Sequence, residues 1–245
     1  MTWRGVSFLV CWVSLQAAEG IMPIGHRGFM GRAPENTIAS FAAAQAAGAA
    51  YVEVDVRATR DGVLVLMHDA TVDRTTAGTG LVAEMPYAAL RPLGVVRFRE
   101  ALLWAKESGM RIDVDHKAGD VEAIAAEIRE TGMTKRVVIE GSRERLARFA
   151  ALLPGVDTMP KVRSVAEVGE VCAALRTTVI RLSLEQLAEA PYRDAVRACG
   201  ARVAVTILGA RDREDEMRRV IGLGAQLIET DHPDVVTRVG GMLKR

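Results

Sequence analysis

Tyr51-Val52-Glu53-Val54-Asp55-Val56 and Arg111-Ile112-Asp113-Val114-Asp115-His116 decide the fold. Each is a short run rich in β-branched residues, flanked by helix-like patterns. In each, two carboxylates recur two residues apart. Strand side chains repeat with period two, so Glu53 and Asp55 share one face, as do Asp113 and Asp115. A parallel sheet covered by helices has no solvated face to receive them. Acids crowded on an inward face are costly unless something neutralises them. A divalent cation with oxygen ligands does this directly.

Outward from these runs, strand-like and helix-like segments alternate along the chain. Strands are expected at Ile21–Gly25, Tyr51–Val56, Arg111–His116, Arg136–Glu140, Val156–Pro160, Thr178–Leu182, Arg202–Thr206 and Gln226–Thr230. Helices are expected at Thr37–Ala47, Arg99–Ser108, Val121–Thr131, Arg143–Leu152, Val165–Ala174, Arg193–Ala198, Arg213–Leu223 and Asp234–Leu243. Gly48, Gly109, Gly132, Gly200 and Gly224 fall where left-handed helix caps belong. Eight strands alternating with helices predict a closed parallel (β/α)8 TIM barrel. A doubly wound open sheet is the second architecture, weakened because no G-x-G-x-x-G follows the first strand. Arg60-Asp61-Gly62 before Val63–Met67 reads as a tight turn, giving the second strand a small extra hairpin partner.

The 245 residues suit one large core. Basic and acidic residues number 32 and 31 and are interspersed, so no global field attracts nucleic acid. An anionic substrate must instead be held locally. Residues 21–245 read as a single barrel domain. Residues 1–20 form an apolar N-terminal segment, with Arg4 before Val6–Leu15. It fits a signal peptide, a short packing helix, or a start misassigned upstream of Met22. The run is too short for stable membrane insertion, and the cytoplasm is the expected compartment, with secretion or the periplasm as the alternative. Cys11, Cys172 and Cys199 form no disulfide or zinc pattern. Cys172 and Cys199 are expected to be buried structural thiols.

Barrel active sites gather at the C-terminal ends of the strands. There the sequence places Gly25-His26-Arg27-Gly28, His68-Asp69 and Asp115-His116-Lys117. His26 and His68 each close a strand beside charged partners, and two imidazoles flanking a phosphate can act as general acid and base. Arg27 offers a planar fork and Lys117 a point charge for the same anion. His116 has the opposite parity and is expected to pack among helices. Glu140, Lys161, Arg181 and Glu229 lie near strand ends and are further candidates for the pocket lining.

These residues resemble the glycerophosphodiester phosphodiesterase family. The matching stretches are Gly25-His26-Arg27-Gly28, Pro34-Glu35-Asn36-Thr37, Glu53-Val54-Asp55-Val56, Thr59-Arg60-Asp61-Gly62, His68-Asp69, Asp73-Arg74-Thr75-Thr76 with Gly80, and Thr230-Asp231-His232-Pro233. The resemblance implies a PI-PLC-like (β/α)8 barrel with one divalent cation, magnesium or calcium. It implies hydrolysis of small glycerophosphodiesters to sn-glycerol 3-phosphate and an alcohol. Carried over, Glu53, Asp55 and Asp115 are the metal ligands, His26 and His68 the acid–base pair, and Arg27 and Lys117 the phosphate contacts. Asn36 is expected to cap the first helix.

Three positions depart from the family pattern. Asp115 stands where a Glu is usual, Val205-Thr206 where a Trp-Thr pair is usual, and the region after Leu93 is short. Two other functions remain open. One is lysophospholipase D-type hydrolysis of lipid diesters, with Leu81, Val82, Met85, Val95 and Phe98 as an apolar rim. The other is a barrel that binds phosphodiesters without turning them over. The oligomeric state is not legible.

Overall fold

A computed structural model describes residues 20–242. Eight parallel strands form a nearly closed barrel: β1 (Met22–Gly25), β2 (Tyr51–Ala58), β4 (Arg111–His116), β5 (Val137–Gly141), β6 (Asp157–Pro160), β7 (Val179–Arg181), β8 (Arg202–Thr206) and β9 (Ala225–Thr230). Their order is β6-β5-β4-β2-β1-β9-β8-β7. The remaining seam, β6 to β7, is bridged at Lys161 and Arg181. The short strand β3 (Leu64–Leu66) pairs antiparallel with β2, as the Asp-Gly turn predicts. The apolar segment before residue 20 and Cys11 lie outside the described residues.

Between the strands run α1 (Ile38–Ala46), α3 (Phe98–Ser108), α4 (Val121–Glu130), α5 (Arg143–Leu152), α6 (Val165–Leu175), α7 (Leu184–Ala188), α8 (Ala190–Ala198), α9 (Glu214–Gly222) and α10 (Pro233–Met242). Their apolar faces meet the outward strand residues in two shells. One includes Phe41, Val54, Phe98, Ile124 and Phe149, and the other Val171, Ile180, Val205 and Ile228. The inward residues form layers instead. Met22, Ile24, Tyr51, Val138, Met159, Val179, Ala204 and Leu227 fill the floor. Further along the strands the inward residues turn polar: Glu53 pairs in register with Asp113, Asp55 with Asp115, and Asp115 with Glu140.

Residues 59–97 form an insertion over the top of β2. It holds β3, the short helix α2 (Tyr87–Leu90), and single 3₁₀ turns at Val82–Glu84 and Arg91–Leu93. It has its own small core of Val65, Met67, Val72, Val82, Leu90 and Val95. Of the residues named as an apolar rim for lipid, three pack inward, Met85 is half-buried and one stays at the surface. Val82, Val95 and Phe98 are buried, while Leu81 is exposed. The sequence pattern missed α2, because one turn carries too little periodicity to register.

Two further expectations are corrected. Cys172 in α6 and Cys199 at the end of α8 are joined as a disulfide, with Cα atoms 6.2 Å apart. They are half-buried partners, not buried thiols. The helix cap expected at Asn36 falls instead on Thr37, whose side chain accepts from Ser40 N in a reciprocal capping box. Asn36 is freed for another task in the site.

Candidate active site

The loop after β1 is shaped by the helix that follows it. Ser40, in the first turn of α1, donates its hydroxyl to the Arg27 carbonyl at 2.9 Å. Gly28 lies against that serine with φ +94°, and a Cβ there would sit 2.3 Å from Ser40 Oγ. Only glycine fits. The loop is thereby pressed toward β2, and Arg27, itself left-handed at φ 51°, donates its backbone N–H to Glu53 Oε2 at 2.8 Å.

Three carboxylates converge beside that loop. Ligand atoms of Glu53, Asp55 and Asp115 lie within 4.8 Å of one another. Asn36 holds Asp55 at both ends: its Nδ2 donates to Asp55 Oδ2 at 2.8 Å, and its Oδ1 accepts from Asp55 N at 3.2 Å. Lys117 Nζ lies 2.5 Å from Asp115 Oδ2 and 3.2 Å from Asp55 Oδ1. Arg27 Nε is 3.2 Å from Asp55 Oδ2. Burial, and then the neighbouring Asp55, Glu229, Asp113 and Glu140 carboxylates, push the Glu53 carboxyl well above its ordinary range. Burial acts likewise on Asp115, but Lys117 outweighs it and holds that carboxyl low. The donor set is all hard oxygen and anionic, which fits a divalent cation such as Mg²⁺ or Ca²⁺.

Two imidazoles flank the acids, and each is held by an aspartate. His26 Nδ1 lies 2.7 Å from Asp231 Oδ1, and His68 Nδ1 lies 2.7 Å from Asp69 Oδ1. An ionised carboxylate only accepts, so each Nδ1 carries the proton and Nε2 is left for chemistry. Hydrogen bonds from Arg74, then from His68, keep the Asp69 carboxyl well below the usual range. His26 is buried, whereas the His68 side chain is 37% exposed.

A cavity of about 200 Å³ collects every residue expected from the sequence: His26, Arg27, Glu53, Asp55, His68, Asp115 and Lys117. Glu140, Lys161, Arg181 and Glu229 line it too. A neighbouring cavity of about 470 Å³ shares Lys161, Arg181, Thr206 and Leu208 and adds Val162, Leu182 and Leu184. Val205 packs in the outer shell, so the wall at the position of the usual Trp-Thr pair is made by Thr206. His116 faces the helices as expected, with Nε2 2.9 Å from the Gly119 carbonyl and its ring edge-on to Phe149. His232 stands just before α10, and its carbonyl accepts from Val235 N and Val236 N.

The profile of the glycerophosphoryl diester phosphodiesterase family matches residues 26–165, which run from just after β1 to the start of α6 and include all seven residues expected from the sequence. The chain belongs to that family. A glycerophosphodiester phosphodiesterase of Caldanaerobacter subterraneus is 27% identical over 89% of this chain and 98% of its own length. Human glycerophosphodiester phosphodiesterase 1 is 47% identical over 79 residues, 32% of this chain and 24% of the human protein. Among solved structures, a family enzyme from Agrobacterium tumefaciens superimposes with a TM-score of 0.79 at 27% identity, covering 89% of this chain and 99% of that one. A phosphodiesterase from Oleispira antarctica, solved with sn-glycerol-3-phosphate, shares the fold at 22% identity and a TM-score of 0.75, over 90% of this chain and 96% of that one.

The sequence missed several residues that hold the site. Asp69, Asp231, Glu35 and Asn36 stand inside the quoted motifs; Asp69 meets its neighbour His68, while Asp231, Glu35 and Asn36 find partners in other segments. The signal was present for Asp69 and Asp231. A carboxylate beside a strand-end His, or returning on the adjacent strand, is the usual orienting partner of an imidazole.

Proposed function

We propose that the chain hydrolyses small glycerophosphodiesters to sn-glycerol 3-phosphate and an alcohol, using one divalent cation, magnesium or calcium. The carrying observation is one cavity that joins two aspartate-held imidazoles, two cationic side chains and a carboxylate triad. Glu53, Asp55 and Asp115 would hold the cation. When bound, it supplies Lewis-acid charge stabilisation at the phosphoryl oxygens.

The chain's own residues do the rest. Arg27 and Lys117 are drawn to the carboxylates here and are placed to turn to phosphate oxygens, where a positioned cation stabilises developing charge. His26 and His68 present Nε2 atoms for proton transfer. One takes the proton of the nucleophile at a bare Nε2, and the other, protonated at both nitrogens, gives its Nε2 proton to the departing alkoxide. The nucleophile is water or the substrate's own glycerol 2-hydroxyl, the latter giving a cyclic phosphate first. The larger cavity beside Lys161 and Arg181 gives the diester's far end room.

Residues 21–245 are read as one barrel domain around this site. No helix among the described residues is long and apolar enough to cross a membrane. Disulfides persist in oxidising compartments, so the Cys172–Cys199 bond favours export over the cytoplasm.

The test is release of glycerol 3-phosphate from glycerophosphocholine. Release should vanish with chelator and return with cation. His26→Ala and His68→Ala should each lower turnover by about 100-fold or more. Near wild-type turnover in either variant sinks the acid–base assignment. Release of choline from a lysophospholipid alone would replace the substrate class with lipid diesters.

A further inference from the structure

The residue that ties the two halves of the site together is Arg74, which the reaction chemistry does not use. It lies in the insertion, six residues after His68. Its guanidinium is shared between two carboxylates. Nε and Nη2 reach Asp69 Oδ2 and Oδ1 at 2.6 and 3.2 Å. Nη1 and Nη2 reach Glu35 Oε2 and Oε1 at 2.7 and 2.8 Å. Each partner passes the restraint on. Asp69 Oδ1 is 2.7 Å from His68 Nδ1. Glu35 Oε1 accepts from Arg27 Nη1 at 3.0 Å. One continuous run of charge-assisted hydrogen bonds therefore joins the His68 imidazole to the Arg27 guanidinium.

The run crosses a structural gap. His68 and Asp69 belong to the insertion, which packs on its own core. Glu35 and Arg27 belong to the loop between β1 and α1. Arg57 fixes the backbone of His68, donating Nε and Nη2 to its carbonyl at 3.1 and 2.6 Å, but it does not set the imidazole's angle. That angle depends on Asp69, and Asp69 depends on Arg74. The Arg74 side chain is 48% exposed, and ion pairs at such a surface add little stability. What the arrangement supplies is geometry. A planar fork can hold four oxygens of two carboxylates at once, and an ammonium cannot.

We propose that Arg74 is a positioning residue, a double fork that holds His68 and Arg27 in one frame across the gap between insertion and barrel. The proposal rests on the function above only for the role given to His68. Losing such an outer partner costs about 10–100-fold in activity.

The test compares wild type with Arg74→Ala and Arg74→Lys. Histidine-selective ¹⁵N NMR, which needs no turnover, should show His68 as a single Nδ1–H tautomer in wild type. It should become a tautomer mixture in Arg74→Ala, with His26 unchanged. Turnover of glycerophosphocholine should fall within the range above with thermal stability nearly intact, and added guanidinium ion should restore part of it. Arg74→Lys should stay impaired. Asp69→Ala combined with Arg74→Ala should be slower than Asp69→Ala alone only by the share that Arg74 carries through Glu35 and Arg27, so the two single losses should not multiply in full. Unchanged His68 resonances in Arg74→Ala, or losses that simply multiply in the double variant, would overturn the proposal. If wild type itself releases no glycerol 3-phosphate, the functional reading falls, and the NMR comparison still decides whether Arg74 orients His68.

Discussion

The barrel carries two carboxylate triads side by side, and they are built differently. Asp113, Glu140 and Glu229 converge on Arg181, which lies wholly within the barrel. Its Nη2 is 2.9 Å from Asp113, its Nε 2.8 Å from Glu140, and its Nη1 meets Glu229 and Thr206. Glu53, Asp55 and Asp115 have no such cation among them. Lys117 and Arg27 reach them only from the cavity side, and Glu53 is left with acids as its charged neighbours. Protonation divides each triad and does not separate the two: burial raises Asp113 and Glu140 despite Arg181, and Lys117 holds Asp115 low beside Glu53. Burial alone would raise the Glu229 carboxyl, yet Arg181, then His26, hold it below its ordinary value. Glu53 is driven up instead. One triad surrounds a fixed guanidinium, whereas in the other Glu53 has only acids as charged neighbours, the imbalance that the proposed cation would offset.

The largest effect should come from breaking the closed triad. Arg181→Leu strips three buried acids of their guanidinium, and removing one partner of a buried charge cluster costs about 3–5 kcal/mol. A thermal melt should show that loss, and millimolar Mg²⁺ or Ca²⁺ should recover part of it by entering the vacated triad. A melt close to wild type would mean the acids simply protonate and that the cluster was never under tension.

The open triad should respond the other way. Cation added to wild type should raise the melting temperature, since a ligand that binds only the folded chain adds about 2.7 kcal/mol at 100 times its Kd. Glu53→Gln or Asp55→Asn should abolish that gain. The sign with pH follows from Glu53. Its folded carboxyl lies above the unfolded value, so ionising it opposes folding as pH rises, and the cation offsets that cost. The cation-induced gain should therefore grow as pH rises above the unfolded value of about 4.5. A gain independent of pH would remove Glu53 from the site. A smaller effect belongs to Asp115→Glu, which restores the reach of the residue usual in the family. It should tighten cation binding measured by calorimetry. Weaker binding would show that the shorter side chain already matches this cavity.

The open triad was legible because strand parity is local: counting by two puts Glu53 with Asp55 and Asp113 with Asp115, and the family resemblance and the spacing to Lys117 single out Asp115. The histidines were legible because they end strands. The closed triad was only half legible. Arg181, Glu140 and Glu229 stood near strand ends, but whether they meet depends on β4, β5, β7 and β9 closing in one register. The same holds for Asn36. Its cap-like neighbourhood is local, while its bond to Asp55 spans 19 residues. Cys172 and Cys199 are 27 residues apart on different helices, and only the packing of α6 against α8 brings them together. What sequence conveys well is periodicity and termini. What it withholds is which distant polar partner completes each pair.

A third acid shows what burial does when neither device is present. Glu127 lies on α4, outside the barrel. Burial pushes its carboxyl up to about 7, with Arg99 opposing and Glu130 adding to the rise. Its Oε2 has no hydrogen-bond partner among the described residues. Because the folded value exceeds the unfolded one, the protonated acid costs nothing extra below about pH 4.5, and the penalty is complete above about pH 7. Glu127→Gln removes the titration while keeping the shape. The variant should melt like wild type near pH 4 and above it near pH 8, with the difference opening between those limits. It should leave the cation-induced gain untouched. A constant difference across the range would mean that Glu127 keeps its charge at little cost. Burial alone would then not explain the rise at Glu53, and the crowding of its acidic neighbours would have to carry it.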